Sequence, residues 1–468
     1  MSEHTRETER TTHSERTVEL AAIDCPVVAE SEVVVVGGGP AGVAAAVSAA
    51  RSGVSVTLLE RYPALGGLAS GGMVLVLDDM INGQEITVTG IVSEYVDRLL
   101  QLGLAVLPPE EDRYASTETW NKWGRYGAFD FHTASNPKPI CYAVAFDPDG
   151  WKRVSNDLVR ESHTDLRLHS WFSRPIVEDG RMRGVVAETK SGPQAVLADV
   201  VIDTTGDIDV AARAGAPHIK DSYITTLVFR LGGVDTDAAE AFEQANGKEA
   251  RRLNKAIKRA LGGAWELWWL KTPTPGVVWC NAPHMAGFDG TDPVSLTQAE
   301  FAARDKIAEA VELTRRTLPG FENCYVVDVA QQLGVRQSRL LEGEYVVTAD
   351  DIRGRRHFAD TVARGRDYYY PYRSLLPKNI DQLLVAGRHY SATPQAQKIS
   401  REIPPCMAMG QAVGLAAAIA VDQHITVREV DPAEIQKRMR KQGADPGDIP
   451  SANAGTDNPD PLELEMDH

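Results

Sequence analysis

The most constraining feature of the chain is a glycine-rich turn between two short apolar segments. Residues 33–36 read VVVV, a run suited to a strand that is buried in a parallel sheet. The turn GGGPAG follows, then an alanine-rich helix to about Arg51, and then VSVTLLE, which ends at Glu60. This order predicts a β-α-β unit.

The glycines of the turn predict a dinucleotide site. Gly37, Gly39 and Gly42 have the G-x-G-x-x-G spacing immediately after a strand and at the start of a helix. The first glycine allows the tight turn, the second lets the backbone approach a pyrophosphate, and the third lets the helix pack closely on the strand. Pro40 and Ala41 begin the helix, whose free N–H groups and dipole favour phosphate at that end.

Glu60 and the later chain narrow the choice of dinucleotide. Glu60 is placed to accept hydrogen bonds from ribose hydroxyls, and its carboxylate would repel a 2′-phosphate, so NADP is disfavoured while NAD and FAD remain. The segments ADVVIDTTGD (198–207) and QLLVAGR (382–388) make two further strand-and-glycine approaches. A simple NAD dehydrogenase has a contiguous cofactor half, so this arrangement favours FAD.

Several segments of the chain, in order, carry a family resemblance. They are GGGPAG, LLER, LGG, FDPDGWKRV, VIDTTGDIDVAARAGAP, GVRQSRLLEGEY, PYRSLLPKN, LLVAGRHYSA and REIPPCMAMGQAVGLAAA. From about residue 30 to 440 the chain resembles FAD-dependent oxidoreductases with a glutathione-reductase-like fold, a group related to heterodisulfide reductase A subunits and fumarate-reductase flavoproteins. The resemblance implies an α/β fold: a Rossmann-like FAD-binding domain of the glutathione-reductase type with an α+β substrate/cap domain.

The motifs and the resemblance together give a set of predicted FAD-binding residues. They are Gly37, Gly39, Pro40, Ala41, Gly42, Glu60, Arg61, Gly67, Gly206, Asp207, Gly387, Arg388, Gly410 and Gln411. Some relatives attach FAD through a histidine near the second glycine cluster, but LGGLASGGM (65–73) has none, so non-covalent FAD is expected. The resemblance also implies that a helix over 404–421 points its N-terminus at the flavin.

The predicted domains are built from separated segments. Residues 1–29 are expected to be a disordered leader, 30–100, 148–216 and 376–440 the FAD-binding domain, 101–147 and 217–375 the substrate/cap domain, and 441–468 an acidic disordered tail. Apolar runs at 224–230, 276–280, 324–330 and 344–348 predict a separate, mostly antiparallel sheet. Helices are predicted at 237–260 and at 297–317, the second with a capping box of Thr297 and Glu300.

Charge and cysteine content limit the partners. The net charge of −16 argues against nucleic acid and anionic membranes. The five cysteines form no C-x-x-C, so no metal site, cluster or redox disulfide is predicted, and the sparse set is typical of a cytoplasmic protein. The apolar run 404–421 carries Gln411 and is better interpreted as a buried helix than as a membrane span. The expected partners are a small-molecule substrate and an unidentified electron acceptor or donor; a homo-oligomer is left open.

Three residues are candidates for catalysis. Arg401, just before the 404–421 helix, would bind a substrate carboxylate or carbonyl, or relay a proton as the resemblance to fumarate-reductase-like relatives implies; the alternative is a salt bridge that fixes the loop. His389 and Tyr390 are candidate acid/base groups, with a buried, hydrogen-bonded histidine as the alternative. Cys406 is interpreted as a small buried side chain.

Other polar side chains are weaker pocket candidates. They are Arg336, Arg339, Tyr345 and Arg373. Because Arg336 and Arg339 are three residues apart, a continuous strand would place them on opposite faces and at most one in a pocket.

Aromatic residues are dense in two regions, 114–142 and 265–269. Trp120, Trp123, Trp265, Trp268 and Trp269 either seal a small domain or line a pocket for a ring-shaped substrate. The expected function is therefore hydride transfer between flavin N5 and a carbon of a small, apolar or cyclic organic substrate. Two alternatives stay open: a non-redox flavin-dependent isomerase or hydratase, and a non-catalytic carrier on the same fold.

Overall fold

The computed structural model describes residues 17–19, 22, 24–82, 85–114, 116–128, 144–264 and 267–450. The helices are α1 (Pro40–Ala50), α2 (Gly67–Ser70), α3 (Ile91–Gln101), α4 (Thr117–Trp123), α5 (Pro148–Glu161), α6 (Asp209–Arg213), α7 (Thr236–Ala245), α8 (Gly247–Ala260), α9 (Pro293–Thr317), α10 (Ala349–Arg353), α11 (Pro394–Ser400), α12 (Ile403–Gln423) and α13 (Pro432–Lys441). The strands are β1 (Val27–Val36), β2 (Val56–Leu59), β3 (Val76–Leu77), β4 (Ile81–Asn82), β5 (Glu85–Ile86), β6 (Ala105–Val106), β7 (Val144–Phe146), β8 (Asp165–Arg167), β9 (Trp171–Glu178), β10 (Arg181–Thr189), β11 (Gly192–Asp203), β12 (His218–Lys220), β13 (Thr225–Thr226), β14 (Phe229–Gly232), β15 (Trp269–Lys271), β16 (Val278–Cys280), β17 (His284–Met285), β18 (Tyr325–Val329), β19 (Gly334–Val335), β20 (Arg339–Leu341), β21 (Thr361–Arg364), β22 (Tyr369–Pro371) and β23 (Leu383–Val385).

The main sheet has seven strands in the order β8-β2-β1-β11-β10-β9, with β23 beside the end of β11. Strands β8, β2, β1, β11 and β23 are parallel, and β10 and β9 extend the sheet in antiparallel fashion. Val36 pairs with Leu59 on one side and Asp203 on the other, so the carboxyl ends of the central strands meet at one edge. The predicted Rossmann-like α/β fold, including the β-α-β unit, is confirmed.

Helix α12 lies against α1 over this sheet. A Cβ atom at Gly410 would come within 2.1 Å of the Ala41 carbonyl oxygen, and one at Gly414 within 2.3 Å of the Ala45 carbonyl oxygen. The two glycines therefore let the helices approach through their backbones. Helix α12 is long and apolar enough to cross a membrane, but 94% of its apolar window is buried inside the protein. The close-packed buried helix expected from the sequence is present.

A second sheet forms the centre of the substrate domain. Its strands have the antiparallel order β15-β16-β14-β18. Trp268, Trp269 and Phe321 pack together in its core, with ring centroids 5.8 Å apart for Trp268–Phe321 and 5.4 Å for Trp269–Phe321. The prediction that residues 344–348 join this sheet was wrong. Val347 instead hydrogen-bonds to the backbone of Ser391, beside the FAD-binding domain.

Two helix predictions also need correction. The helix expected over 237–260 is divided into α7 and α8 at Asn246, whose backbone departs from helical geometry. Helix α9 begins at Pro293, four residues before Thr297. Its N-cap is Asp292, which accepts hydrogen bonds from the backbone N–H groups of Val294 and Ser295. The Thr297 hydroxyl donates to the Pro293 carbonyl within the helix instead of capping it.

At both ends of the chain, the folded part extends beyond the predicted domain boundary. Strand β1 begins at Val27, within the segment expected to be a disordered leader. Residues 441–450 pack on the protein: Ala444 is buried, and the Asp445 carboxylate contacts Arg364 at 2.7 Å. A predicted tail starting at 441 therefore begins too early, because this segment carries buried and paired side chains. Residues 451–468 lie outside the described residues.

Candidate active site

A cavity of about 900 Å³ opens at the carboxyl edge of the parallel strands and extends to the substrate domain. One part of its wall, here called the glycine edge, consists of Gly37, Gly39, Gly67, Gly206 and Gly387. A second part, here called the Asp–Arg cluster, consists of Asp78, Asp79, Arg366, Arg401 and Glu402. The volume lies at the upper end of the range typical of ligand and cofactor sites.

The glycine turn after β1 is built to leave space. Gly37 has φ +105°, and a Cβ atom there would lie 2.5 Å from the Thr204 carbonyl oxygen. At Gly42 a Cβ atom would lie 1.8 Å from the Gly37 carbonyl oxygen, so helix and strand pack as predicted. At Gly39, by contrast, the nearest atom to such a Cβ is the Gly67 Cα atom, 3.9 Å away. The missing side chain of Gly39 therefore leaves open space beside the N-terminus of α1.

Glu60 is buried at the end of β2 and organises the turn. Its Oε2 atom accepts a hydrogen bond from the Gly38 backbone N–H at 2.6 Å, and its Oε1 atom accepts one from Tyr62 N–H at 2.8 Å. Burial raises the pKa of the Glu60 carboxyl above its ordinary value, against the effect of these hydrogen bonds. The neighbouring Arg61 lies over the rings of Tyr62 and Trp171, 4.9 and 5.1 Å from their centroids. Both Glu60 and Arg61 line the cavity.

Asp207 and Arg388 close the edge between β11 and β23. The Asp207 Oδ1 atom lies 3.1 Å from Arg388 Nη2 and accepts a hydrogen bond from the Ser338 hydroxyl. Burial opposes ionisation of Asp207, but Arg388 and Ser338 hold its pKa below the ordinary value. The guanidinium group also occupies the space over Gly206, where a Cβ atom would lie 2.6 Å from Nη1. Arg388 thus fixes the end of β11 through a charge pair.

Of the candidate acid/base pair His389–Tyr390, only His389 lines the cavity. Its Nε2 atom lies 3.3 Å from the Asp203 carbonyl oxygen, and burial lowers its pKa to about 4, so the imidazole is neutral at pH 7. Tyr390 is fully buried with its hydroxyl 2.6 Å from the Ser400 hydroxyl, and burial raises its pKa. The prediction of Tyr390 as a catalytic group was wrong, because its ring packs against Tyr370 inside the core.

Two predicted FAD-binding residues on α12 also point elsewhere. Gly410 faces the Ala41 carbonyl at the crossing with α1. The Gln411 side chain accepts a hydrogen bond from Ile91 N–H at 3.1 Å through Oε1 and donates to Gln442 through Nε2. Neither residue lines the cavity, so Gln411 caps α3 and Gly410 permits helix packing.

Arg401 lies between α11 and α12, where the chain passes along the cavity. Its Nη1 atom is 3.1 Å from Glu402 Oε1, in a pair that is largely buried. The Cys406 thiol donates to the Arg401 carbonyl oxygen at 3.1 Å, and burial raises the pKa of this thiol to about 12. The structure therefore places Arg401 in the cavity wall and Cys406 as a protonated, buried thiol.

Of the Asp–Arg cluster, only Arg401 is a candidate from the sequence; Asp78, Asp79, Arg366 and Glu402 are found in the structure alone. Asp79 accepts a hydrogen bond from the Tyr368 hydroxyl at 2.7 Å and lies 3.7 Å from Arg366 Nε. Burial raises its pKa to about 6 in spite of both contacts. Burial and the nearby carboxylates of Glu402 and Asp79 raise the pKa of Asp78 well above its ordinary value. The only sequence signal is a pair of acids after the apolar run VLVL (74–77).

The substrate domain contributes an apolar wall and an arginine. Val228, Leu270 and Trp279 line the cavity there. Arg336 Nη2 lies 3.4 Å from Thr226 Oγ1 and 3.3 Å from Asn281 Oδ1.

Arg336 and Arg339 both line the cavity, against the expectation of opposite faces. The reason is that the chain leaves β19 at Val335 and begins β20 only at Arg339. Tyr345 and Arg373 do not line it: Tyr345 donates to Asp351, and Arg373 pairs with Asp360.

The tryptophans expected to line a ring-shaped pocket lie elsewhere. Trp268 and Trp269 are buried in the core of the substrate domain. Trp120 and Trp123 are partly buried against the other core, and the Trp123 ring N–H donates to Asp112 at 2.8 Å. None of these four lines the cavity, so the pocket interpretation was wrong for them; Trp265 lies outside the described residues.

Comparison with known proteins agrees with this geometry. The sequence pattern of the family described as FAD dependent oxidoreductase matches residues 32–367 and 364–439. The chain belongs to this family. FAD is therefore the cofactor of this oxidoreductase, and the residues present fit it: the open space at Gly39 lies beside the N-terminus of α1, which favours phosphate.

Several solved structures are similar to the chain at low sequence identity. A geranylgeranyl bacteriochlorophyll reductase-like protein from Thermoplasma acidophilum is 14% identical, with 88% of this chain and 83% of that chain covered and a TM-score of 0.46. The p-nitrophenol 4-monooxygenase PnpA from Pseudomonas putida DLL-E4 is also 14% identical, with 88% and 85% covered and a TM-score of 0.46. The OxyS anhydrotetracycline hydroxylase from Streptomyces rimosus is 14% identical, with 88% and 66% covered and a TM-score of 0.43. No curated protein matches the chain.

Proposed function

We propose that this oxidoreductase transfers a hydride between flavin N5 and a carbon of a small organic substrate that is apolar or cyclic. The observation that carries the proposal is the continuity of one cavity of about 900 Å³ from the glycine edge to the Asp–Arg cluster and the substrate domain. Cofactor and substrate would thus share one continuous space, which hydride transfer requires.

The glycine edge would hold FAD without a covalent bond. Gly37, Gly39 and the first residues of α1 would take the pyrophosphate, because the turn leaves space there and the helix N-terminus favours anions. Glu60 and Arg61 line the adjoining wall at the end of β2, where they would contact the adenosine half. Gly67, Gly206 and Gly387 would border the cofactor where the backbone must come close.

The Asp–Arg cluster would face the reacting groups. Bound FAD supplies the two-electron chemistry, and the protein orients the substrate and stabilises charge. The Arg401 guanidinium, held by Glu402, would bind a carboxylate or carbonyl of the substrate. The N-terminus of α12 begins directly after these residues and favours negative charge at this end of the cavity.

The proposed substrate class is based on the cavity wall that the substrate domain contributes. Val228, Leu270 and Trp279 provide apolar and aromatic surface within the same cavity, which suits an apolar or ring-shaped molecule. We also propose that the two domains have the segment boundaries expected from the sequence, except that the FAD-binding domain starts at Val27. We propose a cytoplasmic location for the protein. We also propose that the chain is related to heterodisulfide reductase A subunits and fumarate-reductase flavoproteins.

The purified protein tests this function directly. It should be yellow and should release FAD, not FMN, on denaturation. Candidate ring-shaped substrates are then added under anaerobic conditions, and bleaching of the flavin absorption identifies the one that donates a hydride. Turnover without any net electron acceptor would favour an isomerase or hydratase instead. A colourless protein that takes up no FAD would favour the non-catalytic carrier.

A further inference from the structure

Asp78 lines the cavity, and its carboxyl group makes no hydrogen bond to any residue that the structure describes. It follows β3 directly, at the joint between the substrate domain and the start of α12. Its neighbour Asp79 differs, because Tyr368 donates a hydrogen bond to it and Arg366 lies 3.7 Å away. Both carboxyl oxygens of Asp78 therefore lack hydrogen bonds to the described residues, whereas Asp79 accepts one through Oδ2.

The charged groups that face Asp78 come from three elements. Asp79 lies on its own turn, Arg401 and Glu402 lie at the start of α12, and Arg366 lies in the loop before β22. Burial and the two other carboxylates oppose ionisation of Asp78, while the two guanidinium groups favour it. The balance raises the pKa of Asp78 well above its ordinary value. A carboxyl group of this kind is a stronger base when ionised and keeps its proton closer to neutral pH.

We propose that Asp78 exchanges the proton that accompanies hydride transfer, a role that rests on the function proposed above. As the substrate is oxidised, one C–H or O–H bond loses its proton to the Asp78 carboxylate. The neighbouring C–H bond would lose its hydrogen and both electrons as hydride, for which bound FAD would be the acceptor. A C=C or C=O bond would form, and Asp78 would later release its proton to water. In the reverse direction the protonated Asp78 carboxyl would donate its proton to the substrate, with the hydride coming from the bound cofactor in its reduced form.

Three other titratable groups of the cavity are less suited to this task. The Asp79 carboxyl is engaged by Tyr368. The Cys406 thiol keeps its proton, because burial raises its pKa to about 12. His389 lies beside Asp203 and Arg388 at the glycine edge, and burial lowers its pKa to about 4, so it is a weak base.

Infrared spectroscopy of the FAD-loaded protein tests the protonation of Asp78 without any substrate. Aspartate residues labelled with carbon-13 at the carboxyl group shift the C=O band of a protonated aspartic acid. The wild type should show such a band at a pH above the range in which ordinary aspartic acids titrate, and Asp78→Asn should lose most of it. In Asp78→Glu the band should remain but no longer respond to the aspartate label. Asp350→Asn is the matched control, because the Asp350 side chain is 94% exposed, and it should leave the band unchanged.

The substrate-bleaching assay tests the transfer itself. In the wild type the rate constant for bleaching should rise with pH through the pKa of Asp78, because the carboxylate is the base. Asp78→Asn should lower the rate constant about 100-fold and abolish this rise, whereas Asp78→Glu should restore part of the rate. FAD should remain bound in both variants.

The outcomes separate this proposal from the function on which it rests. An undiminished infrared band in Asp78→Asn, or bleaching with the wild-type rate and pH profile, would reject the role of Asp78 and leave the oxidoreductase function intact. If no organic substrate bleaches wild-type flavin, the proposed function fails, and the infrared band still decides whether Asp78 holds a proton. If Asp78→Asn loses FAD, the label-insensitive band of Asp78→Glu makes the same decision.

Discussion

The two ends of the cavity differ in how their carboxyl groups are hydrogen-bonded. At the glycine edge Asp207 is paired with Arg388, and backbone N–H groups satisfy Glu60. In the Asp–Arg cluster Asp78 makes no hydrogen bond to the described residues, and its pKa is raised. Paired groups hold a fixed geometry, as cofactor binding requires, while a carboxyl group with a raised pKa and no hydrogen bond to the described residues suits proton transfer.

The largest effect should come from closing the glycine edge. Gly39→Val should abolish FAD retention, because the side chain enters the open space beside the N-terminus of α1. The backbone tolerates the change, since Gly39 has φ −71° and no atom lies within 3.9 Å of the added Cβ. The FAD-to-protein ratio is read from the absorption spectrum. The matched control is Gly247→Val on α8, away from the cavity, which should keep FAD; a Gly39→Val protein saturated with FAD would contradict the placement.

At the opposite end, a charge can be removed without loss of the cofactor. Arg401→Ala should leave FAD bound while the rate of substrate turnover falls about 100-fold, as expected for one polarising or proton-transferring group. Arg252→Ala, at a side chain that is 68% exposed, is the control and should retain full activity. If Arg401→Ala loses FAD or folds poorly, the salt bridge to Glu402 is structural, and Arg401 does not act on the substrate.

Two tryptophans distinguish a cavity residue from a core residue. Trp279 lines the cavity, so Trp279→Phe should raise KM several-fold for a ring substrate while the flavin spectrum is retained. Trp120 packs against the core outside the cavity, so Trp120→Ala should lower stability by about 1–3 kcal/mol and leave KM unchanged. Steady-state kinetics and thermal unfolding of both variants measure these effects. A raised KM in Trp120→Ala together with an unchanged KM in Trp279→Phe would instead place the ring-binding pocket near Trp120.

The smallest effect concerns the pH dependence of stability. The pKa of His389 is lowered to about 4, so between pH 6.5 and 4 the unfolded chain binds a proton that the folded protein does not. Stability is therefore lost as the pH falls through this window, by about 2 kcal/mol between pH 7 and 5. His389→Gln should remove that loss. Urea unfolding at the two pH values measures the difference.

Asp79 contributes with the opposite sign. Its pKa is raised from 3.8 to about 6, so the folded protein binds a proton first as the pH falls, and stability is gained by about 1 kcal/mol between pH 7 and 5. Asp79→Asn should remove this gain. Changes of the same sign in His389→Gln and Asp79→Asn would contradict the electrostatic contrast between the two ends.

The sequence was most informative where a motif is local. The turn at Gly37–Gly42 and the strand that ends at Glu60 are close in sequence. Gly37 and Gly42 are required by close backbone contacts, and Gly39 leaves open space. The Asp–Arg cluster is assembled differently: Asp79 and Tyr368 are 289 residues apart, so no spacing in the sequence places them together. Helix α12 shows a third case. It is buried on all sides, so no polar face indicates that Gln411 points toward α3.

A crystal structure of the FAD-loaded protein tests whether the glycine edge binds the cofactor and the Asp–Arg cluster faces the reacting groups. We expect the pyrophosphate at the N-terminus of α1, against Gly39, and the flavin ring system at the Asp–Arg cluster beside Asp78 and Arg401. A flavin ring bound instead at the glycine edge near Glu60, with the pyrophosphate away from Gly39, would contradict it.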